Sequence, residues 1–455
     1  MLMLCKHFIM IMHKYIKEEC MGKIKLSLAT AILLSGVSLT ADSLGEAFEN
    51  GKFSGQARFF YIDRTYSGTV ENNRNSLAAG GYLKYESAPF YGLSVGTALY
   101  STNLVDIHDD DPRTSASYDP SLFGGDFDSY TYVGELYLNY AIGNTNIKLG
   151  RQKLDTPLAG SDDARMLPNL FEALVVSNTD IPDTTLIAAH VTKEAVGTFG
   201  NVYSEGALSL QSGYGLGFKE ATSGSFRDMG VVALGAGTDT DGVSAVAAIY
   251  SGVEGLKLQA WDYYAHDILN ALYLQADYSI KINDSVGIKG ALQYINESDI
   301  GDKLAGDVDS NYWAAKIGAN YGALSGYVAY SQTDSSSGSM NGGIITPWGG
   351  MPAFTQGMVT RHQFFSDTDA LKVAVGYDFD SLGVPLKATL YHTEFDVGAS
   401  NTYQPGTAWT AKEDGFDLIY QARSDLQLRF RGNFPSDFAP GLDWNEYRFI
   451  VNYNF

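Results

Sequence analysis

The sequence predicts an all-β fold, a transmembrane antiparallel β-barrel of about 18 strands. Three observations carry this prediction. The chain closes on Asn445–Phe455, where Tyr447, Phe449, Val451, Tyr453 and Phe455 alternate with Glu446, Arg448, Ile450, Asn452 and Asn454. A strand sends alternate side chains to opposite faces, so this segment has one apolar and one largely polar side, and it has the roughly 9–11 residues that a tilted strand needs to cross a bilayer. The same alternation recurs along the chain, with tight turns and long loops taking turns between the segments, an asymmetry typical of barrels in lipid. Finally, the chain is rich in Tyr (30) and Gly (49) and poor in Pro (12), yet beyond residue 41 it has no apolar run of about 18 residues. That excludes a bundle of membrane helices and leaves a barrel open, because each barrel strand is only half apolar.

The first element is an export signal. Met21-Gly22-Lys23-Ile24-Lys25 is a basic start, Leu26 to Leu39 is an apolar run, and Thr40-Ala41 closes it. This is the layout of a secretory signal peptide, so 1–41 is expected to be an upstream segment plus a signal that is removed after Ala41. Residues 1–20 precede a complete signal and read as the product of an upstream start codon. Cys5 and Cys20 both fall before the cut, so the exported chain is expected to carry no disulfide and no cysteine metal site. Residues 1–41 hold five Lys and two acids, a net of +3; the formal −21 of the whole chain therefore becomes −24 for the exported part. Such a balance argues against a nucleic-acid partner.

Residues 42–52 are expected to form a short periplasmic segment, and 53–455 the barrel. The first strand runs from Phe53 to Ile62, with Phe53, Gly55, Ala57, Phe59 and Tyr61 outward and Arg58 inward. Strands follow near 76–86, 93–99, 130–140, 146–152, 171–178, 184–192, 242–250, 255–265 and 269–280. The rest lie near 285–296, 310–321, 324–332, 369–379, 385–396, 414–423, 426–434 and 444–455. Taking 229–236 as loop gives 18; counting it as a strand gives 19 and puts the termini on opposite sides of the membrane. Closure removes both sheet edges, which is what allows a sheet to exist in lipid. A β-helix or sandwich adhesin is the runner-up fold, but no fixed short repeat is present. A transporter energised from the inner membrane needs a plug domain, and 42–52 is too short for one.

A barrel of this size leaves an aqueous lumen lined by its inward residues. Arg58, Arg429, Arg431 and Arg448 all fall on inward positions, and pairing of the last strand with the first makes them wall neighbours. They are expected to form a basic track for an anionic group. The alternative is that they pair with acids such as Asp417 and Glu446 and fill a wet wall. The loop acids Asp106, Asp109, Asp110, Asp111, Asp119, Asp126 and Asp128 suggest either outward loops bridging lipopolysaccharide through divalent cations or a solvated acidic surface; no spacing matches an EF-hand.

Residues 147–172 carry the most specific pattern: Gly150-Arg151-Gln152, Thr156-Pro157, Ser161-Asp162-Asp163-Ala164-Arg165-Met166-Leu167-Pro168 and Phe171-Glu172. This stretch resembles the third-loop region of OprD-type porins, and Leu256 to Ser298 is also similar to that family. The terminal Phe455 strand resembles the signal by which outer-membrane barrels engage the barrel assembly machinery. The resemblance implies a third loop folded into the pore, with Asp162, Asp163 and Arg165 bordering a constriction and Arg151 and Lys153 at its foot. It implies passive or substrate-selective diffusion of small hydrophilic solutes, among them carboxylates, amino acids or small peptides, through the outer membrane of a Gram-negative bacterium. Outer-membrane lipid and lipopolysaccharide would surround a monomer or trimer. The alternative is a barrel acting as an adhesin or structural surface protein. No enzyme, metal or cofactor is expected, since the seven His show no metal-ligand or Ser/His spacing. A barrel hydrolase would need its base at the outer rim, where His190 and His392 are the candidates.

Overall fold

A computed structural model describes residues 41–199, 206–335 and 342–455. The expected signal peptide therefore lies, all but Ala41, outside the described residues. The chain enters through a short helix, Leu44–Glu49, capped by the Ser43 hydroxyl, which accepts from Glu46 N at 3.1 Å. The wall begins with β1 (Lys52–Gly68), β2 (Asn72–Glu86), β3 (Leu93–Val105), β4 (Tyr130–Ile142), β5 (Thr145–Gln152) and β6 (Leu170–Asn178). It continues with β7 (Thr184–Ala195), β8 (Val243–Val253), β9 (Leu256–Ala265), β10 (Leu269–Lys281), β11 (Val286–Asp299) and β12 (Asp309–Tyr321). It ends with β13 (Leu324–Thr333), β14 (Thr368–Asp378), β15 (Leu386–Val397), β16 (Trp409–Arg423), β17 (Leu426–Ser436) and β18 (Leu442–Asn454).

Every strand pairs antiparallel with its neighbours, and β1 closes on β18 from Gln56↔Asn454 to Gly68↔Leu442. Of the 19 paired segments, Arg227–Asp228 is only two residues long and belongs to a loop, which leaves the 18 of the wall. Met229–Leu234, the stretch on which the count depended, is a short helix inside that loop. The first hairpin is longer than its alternation suggests. β1 and β2 run on to Gly68 and from Asn72, because the polar residues 63–66 and 72–75 face one another across the ladder.

Outward positions carry the apolar band: Phe59, Leu136, Leu149, Val246, Leu292, Ile317 and Leu390 are all well exposed. Inward positions are small, aromatic or polar. Gly81 takes a φ of +126°, and a Cβ there would meet Gln56 O at 1.8 Å, so the β1–β2 wall needs glycine at that point.

The third loop, 153–169, turns into the barrel as expected. Three others join it. Leu122 and Phe123 of loop 106–129, Tyr214 and Phe218 of loop 196–242, and Trp348 and Phe364 of loop 334–367 are buried against inward wall residues such as Phe60, Tyr263, Tyr273 and Tyr312. The outer half of the lumen therefore contains a packed core. Burying a large apolar side chain is worth roughly 1.5–3 kcal/mol, so these loops are held as firmly as elements of a soluble domain.

Candidate functional site

Closure of β18 on β1 sets up inward-facing rungs across β17, β18 and β1. From the inner end outward they are Gln427–Asn452–Arg58, Arg429–Ile450–Phe60, Arg431–Arg448–Ile62 and Asn433–Glu446–Arg64. Neighbouring strands lie about 4.8 Å apart and successive rungs about 6.6 Å. All four predicted arginines thus sit on one inward patch, but their surroundings differ. Arg448 is fully buried, and its Nε donates to Glu446 Oε1 at 2.5 Å. Glu446 also accepts from Arg64 Nε at 2.8 Å and lies 3.5 Å from Arg165. Arg64 reaches Asp119 at 2.9 Å, so this member of the acidic loop series is buried in an ion pair. Arg431 and Arg429 both pair with Asp417, and of the four arginines Arg429 retains the most open side chain, 28 % exposed. For Arg448, Arg431 and Arg429 the acids named as alternative partners are the partners present.

Three residues of the third loop each hold a different element. Asp162, at a φ of +37°, accepts from Arg361 at 2.8 Å and from the Tyr214 hydroxyl at 2.7 Å, tying loops 334–367 and 196–242 to its own. Asp163 accepts from Arg58 at 2.7 Å, and the same guanidinium donates to the carbonyls of Arg165 and Met166 at 2.5 and 3.3 Å. Arg165 is fully buried; it donates to Ser121 Oγ at 3.1 Å and approaches Glu446. The Phe199 ring lies 4.6 Å from the Arg165 guanidinium and 4.3 Å from that of Arg361, a cation–π contact with each.

Wall carboxylates secure loop 334–367 as well. Glu413 accepts the backbone N–H groups of Met358, Val359 and Thr360 at 2.7, 3.1 and 2.6 Å, and Glu297 accepts Ile345 N at 2.8 Å. Sequence reasoning did not find Tyr214, Arg361 or Ser121 as partners of the third loop. They lie in loops without periodicity, so no spacing announces which wall they will meet.

Asp163 keeps an open side chain, 34 % exposed. Burial alone would raise its carboxyl, but the charge and hydrogen bonds of Arg58, with Lys153 and Arg429 farther off, hold it below the usual carboxylate range. Lys153 is exposed, and its charge acts on Asp163. Lys84 lines the wall nearby, 3.1 Å from Glu135, which also accepts from the Tyr100 hydroxyl at 2.8 Å. Arg151 lies elsewhere. It shares the parity of Leu149, so it stands on the outer surface of β5 at 3.7 Å from Glu172 rather than at the foot of the constriction. The Gly-Arg-Gln motif could not reveal this, since its Arg and Gln point opposite ways and Gln152 is the inward one.

Comparison with solved structures returns barrels of the same architecture. Pseudomonas aeruginosa OpdK, solved with vanillate, is 18% identical over 89% of this chain and 98% of its own, with a TM-score of 0.69. A BenF-like porin from Pseudomonas fluorescens Pf-5 is 18% identical over 90% and 99%, with a TM-score of 0.72. P. aeruginosa OccK2 (OpdF), in complex with glucuronate, is 19% identical over 90% and 98%, with a TM-score of 0.67. A comparison with curated proteins gave no significant match. The profile described as outer membrane porin, OprD family, matches residues 46–455, and the chain belongs to that family.

Proposed function

We propose that this porin passes small hydrophilic solutes bearing a carboxylate, such as organic acids, amino acids or small peptides, by diffusion past the opening around Asp163. One observation carries the reading: the exposed Asp163 carboxylate, bonded to Arg58, lies within the charge field of Lys153 and of the part-exposed Arg429–Asp417 pair. Opposite charges across a narrow gap make a transverse field that orients zwitterions and sorts solutes by charge as well as width. A solute carboxylate would be drawn to Lys153, and an ammonium group to Asp163. OpdK with vanillate and OccK2 with glucuronate support the same solute class, since both ligands are carboxylates. Channels of this kind break no bond and use no cofactor.

The packed loops favour one second reading, a barrel whose lumen stays closed and which serves as a surface protein. Reconstitution into planar bilayers separates the two. Stepwise currents that small carboxylates reduce in a concentration-dependent way support diffusion, and a silent bilayer supports the surface protein.

A further inference from the structure

The outward surface of β5 to β9 carries polar groups where the apolar band ends. Arg151, Glu172 and Lys193 form one outward rung, at 3.7 Å between Arg151 and Glu172 and 3.6 Å between Lys193 and Glu172. One rung toward the membrane centre lie Leu149, Leu174, His190, Ser244 and Tyr264. His190 Nδ1 is 3.0 Å from Ser244 Oγ, and His266 Nε2 is 3.2 Å from the same oxygen. Sequence spacing concealed this meeting, because His190 lies on β7, Ser244 on β8 and His266 in the turn after β9.

We propose that this patch binds the phosphate groups of a lipid headgroup in the outer leaflet. Its position supports this, since Leu149, Leu174 and Val246 are exposed directly beneath it and mark the boundary of the hydrocarbon. Its chemistry supports it too. Lys193 and Arg151 are 47 % and 39 % exposed, and both stand beyond hydrogen-bond distance from the one acid they share. Arg151 donates to Val133 O at 3.4 Å, and its remaining N–H groups form no other hydrogen bond among the described residues. Guanidinium and ammonium groups are the usual phosphate partners. Two and three inter-strand spacings separate Arg151 from His190 and Ser244, a breadth of roughly 10–15 Å, which suits a headgroup with more than one phosphate better than a single-phosphate lipid.

The charge is local. The outward face of β14 to β16 carries Asp369, Glu394, Asp396 and Asp414 against Lys412 and His392. A second copy of the chain could present that acidic face to the basic one, and the test is arranged to expose this. Purified full-length protein is titrated with diphosphoryl lipid A and, separately, with a phosphate-free analogue of the same acyl composition, with binding read by native mass spectrometry. Wild type should retain the phosphorylated lipid and release the analogue. R151Q/K193Q, shown to be folded by heat-modifiable gel migration, should bind diphosphoryl lipid A about 25-fold more weakly, roughly fivefold for each surface cation removed. E394Q/D414N should bind it as wild type does. Equal retention of the two lipids by wild type overturns the proposal whatever the variants do. So does undiminished binding by R151Q/K193Q, or a loss in that variant of self-association rather than of lipid.

Discussion

At Asp163 a wall arginine, a loop lysine and a second wall arginine act on one carboxylate, so its removal should change which ions pass. Asp163→Asn removes the carboxylate that opposes Arg58 and Lys153 at the opening, while Arg429 keeps Asp417. The ratio of anion to cation permeability should rise on the order of a few-fold, read from reversal potentials in asymmetric KCl. No shift, or a shift toward cations, would place the selective field elsewhere. His362, in loop 334–367, offers a second test. Burial pushes its imidazole down to about 4, against the opposing pull of its hydrogen bond to the Phe438 carbonyl at 2.6 Å. An unfolded histidine titrates near 6.5, so between those values the undocked loop binds more protons than the docked one. Docking is therefore at full strength above about pH 6.5 and weakens as pH falls toward 4, by at most about 3 kcal/mol. Corrected for the intrinsic fall of exchange with pH, the protection factors of 342–367 should drop on acidification from pH 7 to 5, and His362→Gln should flatten that dependence. Protection factors that ignore pH in wild type would contradict the burial of a neutral imidazole.

At the scale of elements, what the sequence reveals follows from periodicity. Strand after strand was legible because lipid forces one face to be apolar and water permits the other to be polar; the last strand, Leu442–Asn454, shows this alternation to within two residues of the expected bounds. The outer ends of β1 and β2 were missed because they rise above the apolar band, where polar pairs such as Arg64↔Arg74 replace the alternation. Inward arginines were legible from parity alone, but which of them face water was not, since that depends on loops whose sequences carry no repeat. Two substitutions test elements. Gly81→Val forces a side chain onto the Gln56 carbonyl from a φ of +126° and should destabilise the barrel by on the order of 2 kcal/mol or more. The temperature of its heat-modifiable gel shift should drop accordingly, and an unchanged temperature would mean that the β1–β2 contact is looser than described. Glu446→Gln removes the carboxylate shared by Arg64, Arg165 and Arg448, all buried. Breaking a buried ion pair costs about 3–5 kcal/mol, so the third loop should loosen and protease cleavage within 153–169 should become readily detectable. Continued resistance would assign the anchoring to Asp162 and Asp163 instead.

For the whole molecule, the barrel and its loops have separate origins in the chain. Closure follows from an even set of alternating strands whose ends meet at β1 and β18. The lumen is set by four loops that fold back on the wall through wall carboxylates and a loop hub at Asp162–Arg165. The resemblance at 147–172 foretold one of the four. The other three became visible only when Tyr214, Arg361 and Ser121 were brought to that hub from three separate loops. Single-channel recording of the purified protein in a planar bilayer tests whether a water-filled path persists past this packing. Wild type should give small discrete current steps that grow larger and noisier in Glu446→Gln. A bilayer that stays silent with folded, inserted protein would contradict such a path.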